Sequence, residues 1–258
     1  MKHSLAALVL AVALLCTLLT GCGGPLPPEG PDGSNGTPPS GDNSTQEPDD
    51  NGGSISAPKL QPTIQVESAT FNATQKGCVA GYVFQVTNPN QAYSLSSVKL
   101  TVTMADAAGK TKTETTSISS IAPGDTIRFA QTWTYPDWRP TQNVSCKVEV
   151  WPSSYKGPET EADGTPKMAK YKDLQVVSVR ENKNNKIDYN TFEGVVRNTS
   201  RYACKARISL LLKKNGSGVS AAFVPADKSI PAGGSYSFVI YQTKDISYDS
   251  YEVIAAPW

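Results

Sequence analysis

Beyond Lys59 the chain runs in short stretches of alternating polarity, rich in Val, Ile, Thr, Tyr and Phe and bounded by Gly, Pro, Asn and Asp. A period of two places apolar side chains on one face of a strand, whereas an amphipathic helix needs them at i, i+3 and i+4. No window of this region sustains the helical spacing. The pattern predicts strands over 61–72, 79–88, 96–105, 111–118, 126–135 and 144–151, and again over 173–181, 187–198, 203–213, 219–225, 235–241 and 250–256. Two sets of six strands predict an all-β protein: a first β-sandwich over 59–152, a linker over 153–170 and a second β-sandwich over 171–258.

The two sets repeat one another. Gly81-Tyr-Val-Phe-Gln-Val-Thr-Asn88 is followed by apolar Val98 to Met104 and by Ile121-Ala-Pro-Gly124 leading to Phe129. Thr191-Phe-Glu-Gly-Val-Val-Arg-Asn198 is followed by Ala206 to Leu212 and by Ile230-Pro-Ala-Gly233 leading to Phe238. Asn88 stands 36 positions before Gly124, and Asn198 stands 35 before Gly233. Each asparagine closes a strand, where its short side chain can bond local backbone. This order resembles the FxLYD domain and related immunoglobulin-like envelope modules. Met104-Ala-Asp106-Ala-Ala-Gly109-Lys110 keeps the Asp and Gly of that family's motif, and Leu211-Leu-Lys-Lys-Asn-Gly216 departs further. The resemblance implies tandem immunoglobulin-like sandwiches and no catalytic residue.

Strand parity turns Cys78, Ala80, Tyr82, Phe84 and Val86 to one face, and Cys146, Val148 and Val150 likewise, so both cysteines point into the first core. In the strand order the resemblance implies, they occupy the second and sixth strands, where such domains often carry an inter-sheet disulfide. Such a bond would contribute on the order of a few kcal/mol. The other reading is two buried thiols acting as small hydrophobes. In the second copy Asp188 falls opposite Cys78, and Cys204 shares parity with Ala206, Ile208 and Leu210, as a buried inert thiol.

A separate apolar stretch, Leu5 to Leu19, stands behind Lys2 and ends in Leu19-Thr20-Gly21-Cys22. It falls short of the roughly 20 apolar residues that span a bilayer, and it reads as a removed segment. Its last four residues resemble the lipobox of bacterial lipoproteins. That resemblance implies a signal peptide over 1–21, diacylglycerol on the Cys22 thiol, and a membrane partner reached through the N-terminal lipid. Each buried acyl methylene would contribute about 0.8 kcal/mol to anchoring. Over 22–58 the lipidated cysteine continues into a Pro-, Gly- and Asp-rich stalk with no Lys or Arg. Such a composition buries too little apolar surface to offset its ordering entropy, so a disordered spacer is expected. Its flexible reach is about 30–35 Å.

Cleavage at Cys22 changes the available chemistry. The single histidine, His3, leaves with the signal. A chain without imidazole has no Ser-His-Asp or Cys-His nucleophile system and no common His-containing metal site. Loss of Lys2 leaves 23 basic against 23 acidic residues, a balance that offers nucleic acid no concentrated basic surface. Catalysis, a metal and a cofactor are accordingly not expected. Glu159, Glu161 and Asp163 in the linker lack calcium-loop spacing and read as solvated charges.

The cluster Trp133-Thr-Tyr135-Pro-Asp-Trp138-Arg139 is the main candidate for ligand contact. Exposed Trp133, Tyr135 and Trp138 could stack on sugar rings or anchor a protein, with Arg139 fixing orientation. The competing reading packs these rings onto the sandwich. Tyr241, Tyr248, Tyr251 and Trp258 form a second aromatic set open to both readings. Together these features lead to the expectation of a lipid-anchored, extracytoplasmic, non-catalytic binding protein of the cell envelope, contacting an envelope protein or glycan. The rival expectation is a passive spacer, and the remaining alternative is an envelope hydrolase.

Overall fold

The computed structural model describes residues 58–74, 77–141, 143–183 and 188–258. The expected signal peptide, Cys22 and the expected stalk through residue 57 lie outside the described residues.

The first half folds as β1 (Thr63–Thr74), β2 (Gly77–Thr87), β3 (Ser94–Ala105), β4 (Thr111–Ile121), β5 (Thr126–Tyr135), β6 (Val144–Glu149) and the two-residue β7 (Tyr155–Lys156). Antiparallel β1-β2-β5 faces antiparallel β4-β3-β6. The sixth expected strand stops earlier than its composition suggests, because Pro152 opens a 3-10 turn over Pro152–Ser154. The turn returns the chain to β3, where Tyr155 and Lys156 pair with Leu95 and Ser94. Part of the expected linker is thus strand.

The second half repeats this plan with β8 (Leu174–Asn182), β9 (Tyr189–Asn198), β10 (Ala206–Lys214), β11 (Ser217–Pro225), β12 (Ser235–Thr243) and β13 (Ser250–Pro257). Here β12-β9-β8 faces β11-β10-β13. The strands are all antiparallel and the protein is an all-β sandwich fold.

Two side-chain cores follow the alternation. Tyr82, Phe84, Leu100, Met104, Ile127 and Phe129 are fully buried in the first, and Phe192, Ile208, Leu210 and Leu212 in the second. Each such side chain contributes on the order of 1.5–3 kcal/mol by leaving water. The repeat extends to irregularities: a β-bulge interrupts β1 between Val66 and Ser68, and another interrupts β8 between Val176 and Ser178.

The two asparagines do the same work in each copy. Asn88 Nδ2 reaches the carbonyls of Tyr93, Ala122 and Ile121 at 2.8, 3.0 and 3.3 Å, and its Oδ1 accepts from Asn90 N at 3.1 Å. Asn198 Nδ2 reaches Tyr202, Ile230 and Pro231 at 2.7, 3.1 and 3.2 Å, and its Oδ1 accepts from Ser200 N at 3.0 Å. Both side chains are fully buried, where unpaired polar groups would be costly. Each therefore ties the end of one strand to the turn that starts another.

The outer face of β1-β2-β5 lies against the outer face of β11-β10-β13, so four sheets stack. Val83, Ala130, Leu211, Ala221 and Ile254 form a third apolar cluster between the sandwiches. This contact is why β10 is buried on both faces from Ala206 to Leu212. Close approach depends on glycine. A Cβ on Gly81 would stand 3.1 Å from the Cβ of Ala221, and one on Gly218 would stand 2.3 Å from Ser68 Oγ.

Candidate functional site

The aromatic cluster at the end of β5 is packed rather than presented. Tyr135 and Trp138 are only 4% and 7% exposed, and their rings meet edge to face with centroids 5.0 Å apart. Asp106 organises this end of the sandwich. Its Oδ1 accepts from the backbone of Ala108 and Lys110, both at 2.9 Å, and its Oδ2 accepts from Trp138 Nε1 at 2.9 Å. Lys112 Nζ lies 5.0 Å from the Tyr135 ring centroid and 5.2 Å from that of Trp138. Trp133 packs on the core beside Tyr82, with centroids 5.7 Å apart. Of the four expected contact residues only Arg139 is exposed. The expectation of a binding loop here is corrected for two of the rings: Tyr135 and Trp138 are buried and the Trp138 indole N–H is taken by Asp106, while Trp133 is half-buried against the core.

The disulfide expectation is corrected in the same way. Cys78 and Cys146 sit in opposite sheets of the first sandwich, as parity requires, but both are free thiols, as is Cys204. Both thiols lie near the phenol of Tyr82, where a charge on either would raise its pKa. Burial also pushes the thiols up, Cys146 and Cys204 to about 11. They are therefore protonated and poorly nucleophilic at neutral pH.

Charged residues fasten the two sandwiches. Arg128 on β5 pairs with Glu67 in the β1 bulge and with Glu252 on β13, and Lys213 on β10 meets Glu252 at 2.7 Å. Hydrogen bonding to Arg128 holds both carboxyl groups below their ordinary range. Deeper in the contact, Arg207 is 4% exposed. Its Nε donates to the Ala130 carbonyl at 2.9 Å and its Nη2 to Gln131 Oε1 at 2.6 Å. The guanidinium lies 3.5 Å from the ring centroid of Phe223 and 4.3 Å from that of Trp258. Burial lowers its pKa to about 9, which still leaves it cationic at neutral pH.

Where the stacked sheets part, a cleft of about 530 Å³ opens between the sandwiches. Phe71, Val79 and Thr132 line it from the first, and Ala221, Tyr241 and Gln242 from the second. At its floor the buried Gln242 donates from Nε2 to the buried Ser220 Oγ at 3.1 Å, which leaves the serine its own hydroxyl hydrogen to give. Tyr189 and Tyr241 also border the cleft and remain 47% and 61% exposed. Tyr241 pairs with Thr191 and Tyr189 with Thr243, so the two tyrosines are diagonal neighbours on one face of β9 and β12. Among the described residues, Asp245 is the one charged residue in the lining.

Tyr241 belongs to the second aromatic set of the sequence, while Tyr189 carries no local signal beyond its ring. Of the others in that set, Trp258 packs edge to face on Phe129, and Tyr248 and Tyr251 pack on Phe192. Two further cavities, of about 350 and 360 Å³, lie beside Tyr202 and Trp151. Among the described residues, no group of three His, Cys, Asp or Glu side chains is placed to hold a metal ion, and no helix is long and apolar enough to cross a membrane.

No protein-family model matches the chain. No curated protein matches it either. Among solved structures, red sea bream transglutaminase aligns at 11% identity and a TM-score of 0.25, over 78% of this chain and 31% of the transglutaminase. The chain thus spans about a third of that protein's length. An oxalate decarboxylase aligns at 8% identity and a TM-score of 0.12, and a B. subtilis oxalate decarboxylase variant at 7% and 0.13, each over 77% of both chains. At these scores the likenesses carry no argument about activity.

Proposed function

We propose that this is a non-catalytic, lipid-anchored binding protein of the bacterial cell envelope, which engages an envelope protein or glycan in the cleft between its two sandwiches. The observation that carries the reading is the cleft itself, an open, largely uncharged concavity bordered by two exposed tyrosines on a fastened two-sandwich body. Concave, mostly apolar sites with a few convergent polar groups are where ligands usually bind. The anchor rests on Leu19-Thr20-Gly21-Cys22. Where the chain enters the body it is held firmly: Asn90 bonds both backbone groups of Leu60, at 2.7 and 2.8 Å, and Tyr155 donates to the Leu60 carbonyl at 3.1 Å. An attachment pinned there suits display of the cleft beyond a stalk.

The tandem FxLYD-like, immunoglobulin-like assignment belongs to the same proposal. It is supported by the repeated asparagine device and by Asp106 and Gly109, the motif positions that shape the β3–β4 hairpin.

Two experiments test the reading. Replacing Cys22 with Ser should release the protein from membranes, and unchanged retention would refute the lipid anchor. A photo-cross-linker at Tyr241 in intact cells should capture an envelope component, and Thr132→Trp, which fills the cleft, should prevent capture. If no component is captured at Tyr241, the protein is a passive spacer.

A further inference from the structure

The lining of the cleft has a chemical bias. One of its described residues is charged, and the other polar groups among them are hydroxyls and amides: Asn72, Thr132, Ser220, Gln242, Thr243 and Ser247. Among the described residues, an anionic or cationic ligand finds no matching cluster of charge. Interleaved with these groups are apolar walls at Phe71, Val79 and Ala221. A ligand suited to this surface is neutral, dense in hydroxyl groups and apolar on its flat faces.

The tyrosines narrow the class further. In the repeat, Asn88 answers to Asn198 and Phe129 to Phe238, so Tyr189 stands where the first copy has Val79 and Tyr241 where it has Thr132. The module therefore folds with small residues at both places. The rings of Tyr189 and Tyr241 add nothing that the sandwich requires, and both lie largely in water. Two aromatic faces on one side of a sheet offer C–H groups a stacking surface. A peptide added along the open edge of β12 would be held chiefly by backbone pairing and would leave these rings idle.

We infer that the cleft binds a neutral oligosaccharide, with Tyr189 and Tyr241 stacking on its sugar rings. This rests on the cleft being the ligand site proposed above. The volume of about 530 Å³ falls within the range of small-molecule sites.

The test uses the full-length chain in detergent, with chitotriose and cellotriose as probes, followed by saturation-transfer NMR and titration calorimetry. At least one trisaccharide should bind. Tyr189→Ala and Tyr241→Ala should each weaken it about tenfold, and Tyr241→Phe should not. Thermal unfolding should be unchanged in all three variants, because neither ring is in a core. Binding of neither sugar, or binding indifferent to both alanine substitutions, overturns the inference. Cross-linking from Tyr241 separates it from the wider reading. Capture of a polypeptide alone removes the sugar and leaves a binding cleft, whereas capture of nothing removes both.

Discussion

Arg207 in the second sandwich donates from Nε to the carbonyl of Ala130 in the first, across 2.9 Å of buried contact. The bond joins strands far apart in sequence and takes up a buried carbonyl on the unpaired edge of β5, where the Ala130 N–H also goes to Ser209 Oγ at 2.9 Å. Arg207→Met keeps much of the stem but loses both hydrogen bonds and the stacking on Phe223 and Trp258. It should destabilise the protein by about 2–4 kcal/mol, read from urea unfolding.

The paired glutamates predict an acid dependence with a definite sign. In the unfolded chain Glu67 and Glu252 return to their ordinary value of 4.5, while in the fold Arg128 holds both lower. Their ionised pairing therefore adds stability that is fully present above that value and is lost as pH falls below it, towards the depressed folded values. Asp125, raised by burial, acts in the opposite sense. Urea midpoints should fall on acidification below about pH 4.5. Arg128→Met should be less stable at pH 7 and should lose much of that acid sensitivity.

Asn88→Ala removes a donor from three carbonyls in a fully buried site. A loss of about 2–4 kcal/mol is expected, and Asn198→Ala should lose a similar amount in the other copy. Asn88→Asp should also be destabilising, because an ionised carboxylate has no hydrogen to give. Equal stability of Asn88→Asp and the parent in thermal melts would contradict the assigned hydrogen bonds.

Trp138 and Tyr241 should separate stability from binding. Trp138→Ala opens space beneath Asp106 and beside Tyr135, and should cost about 3–5 kcal/mol. It should leave trisaccharide binding intact at temperatures where the variant is folded. Tyr241→Ala should do the reverse.

Thiol chemistry checks the cysteine assignments. At pH 8 an alkylating reagent should modify Cys78, Cys146 and Cys204 slowly in the native protein and rapidly in denaturant, as resolved by peptide mass spectrometry. Recovery of a Cys78–Cys146 linked peptide from freshly isolated protein would show that the bridge forms after all.

Much of this fold is legible along the chain, because alternation is a local property. The order of β2, with Tyr82 and Phe84 inward and Gln85 on the other parity, needs no partner to be read, and neither does the recurrence of Asn88 in Asn198. The end points are less legible. The turn at Pro152 and the short β7 depend on the stretch of β3 at Ser94 and Leu95, left uncovered by β6, being there to receive them. The aromatic run from Trp133 to Trp138 is ambiguous in sequence because rings that stack on a ligand and rings that close a core have the same composition. Burial against Met104 and the carboxylate of Asp106 decides between them.

By itself, then, the sequence determined the class of fold, the twofold repetition, the near-neutral surface, the absence of histidine beyond His3 and the Leu19-Thr20-Gly21-Cys22 expectation of an anchor. All of these reside in short stretches or in composition. Only the tertiary structure decided that the outer faces of β1-β2-β5 and β11-β10-β13 meet, with Gly81 against Ala221 and Arg207 between the sandwiches. It also decided that Tyr189 and Tyr241 border a cleft. The physical reason is that outward-facing residues such as Val83, Ala130 and Leu211 follow the solvent parity of their strands, and nothing local distinguishes a face that meets water from one that meets a second copy of the same sandwich.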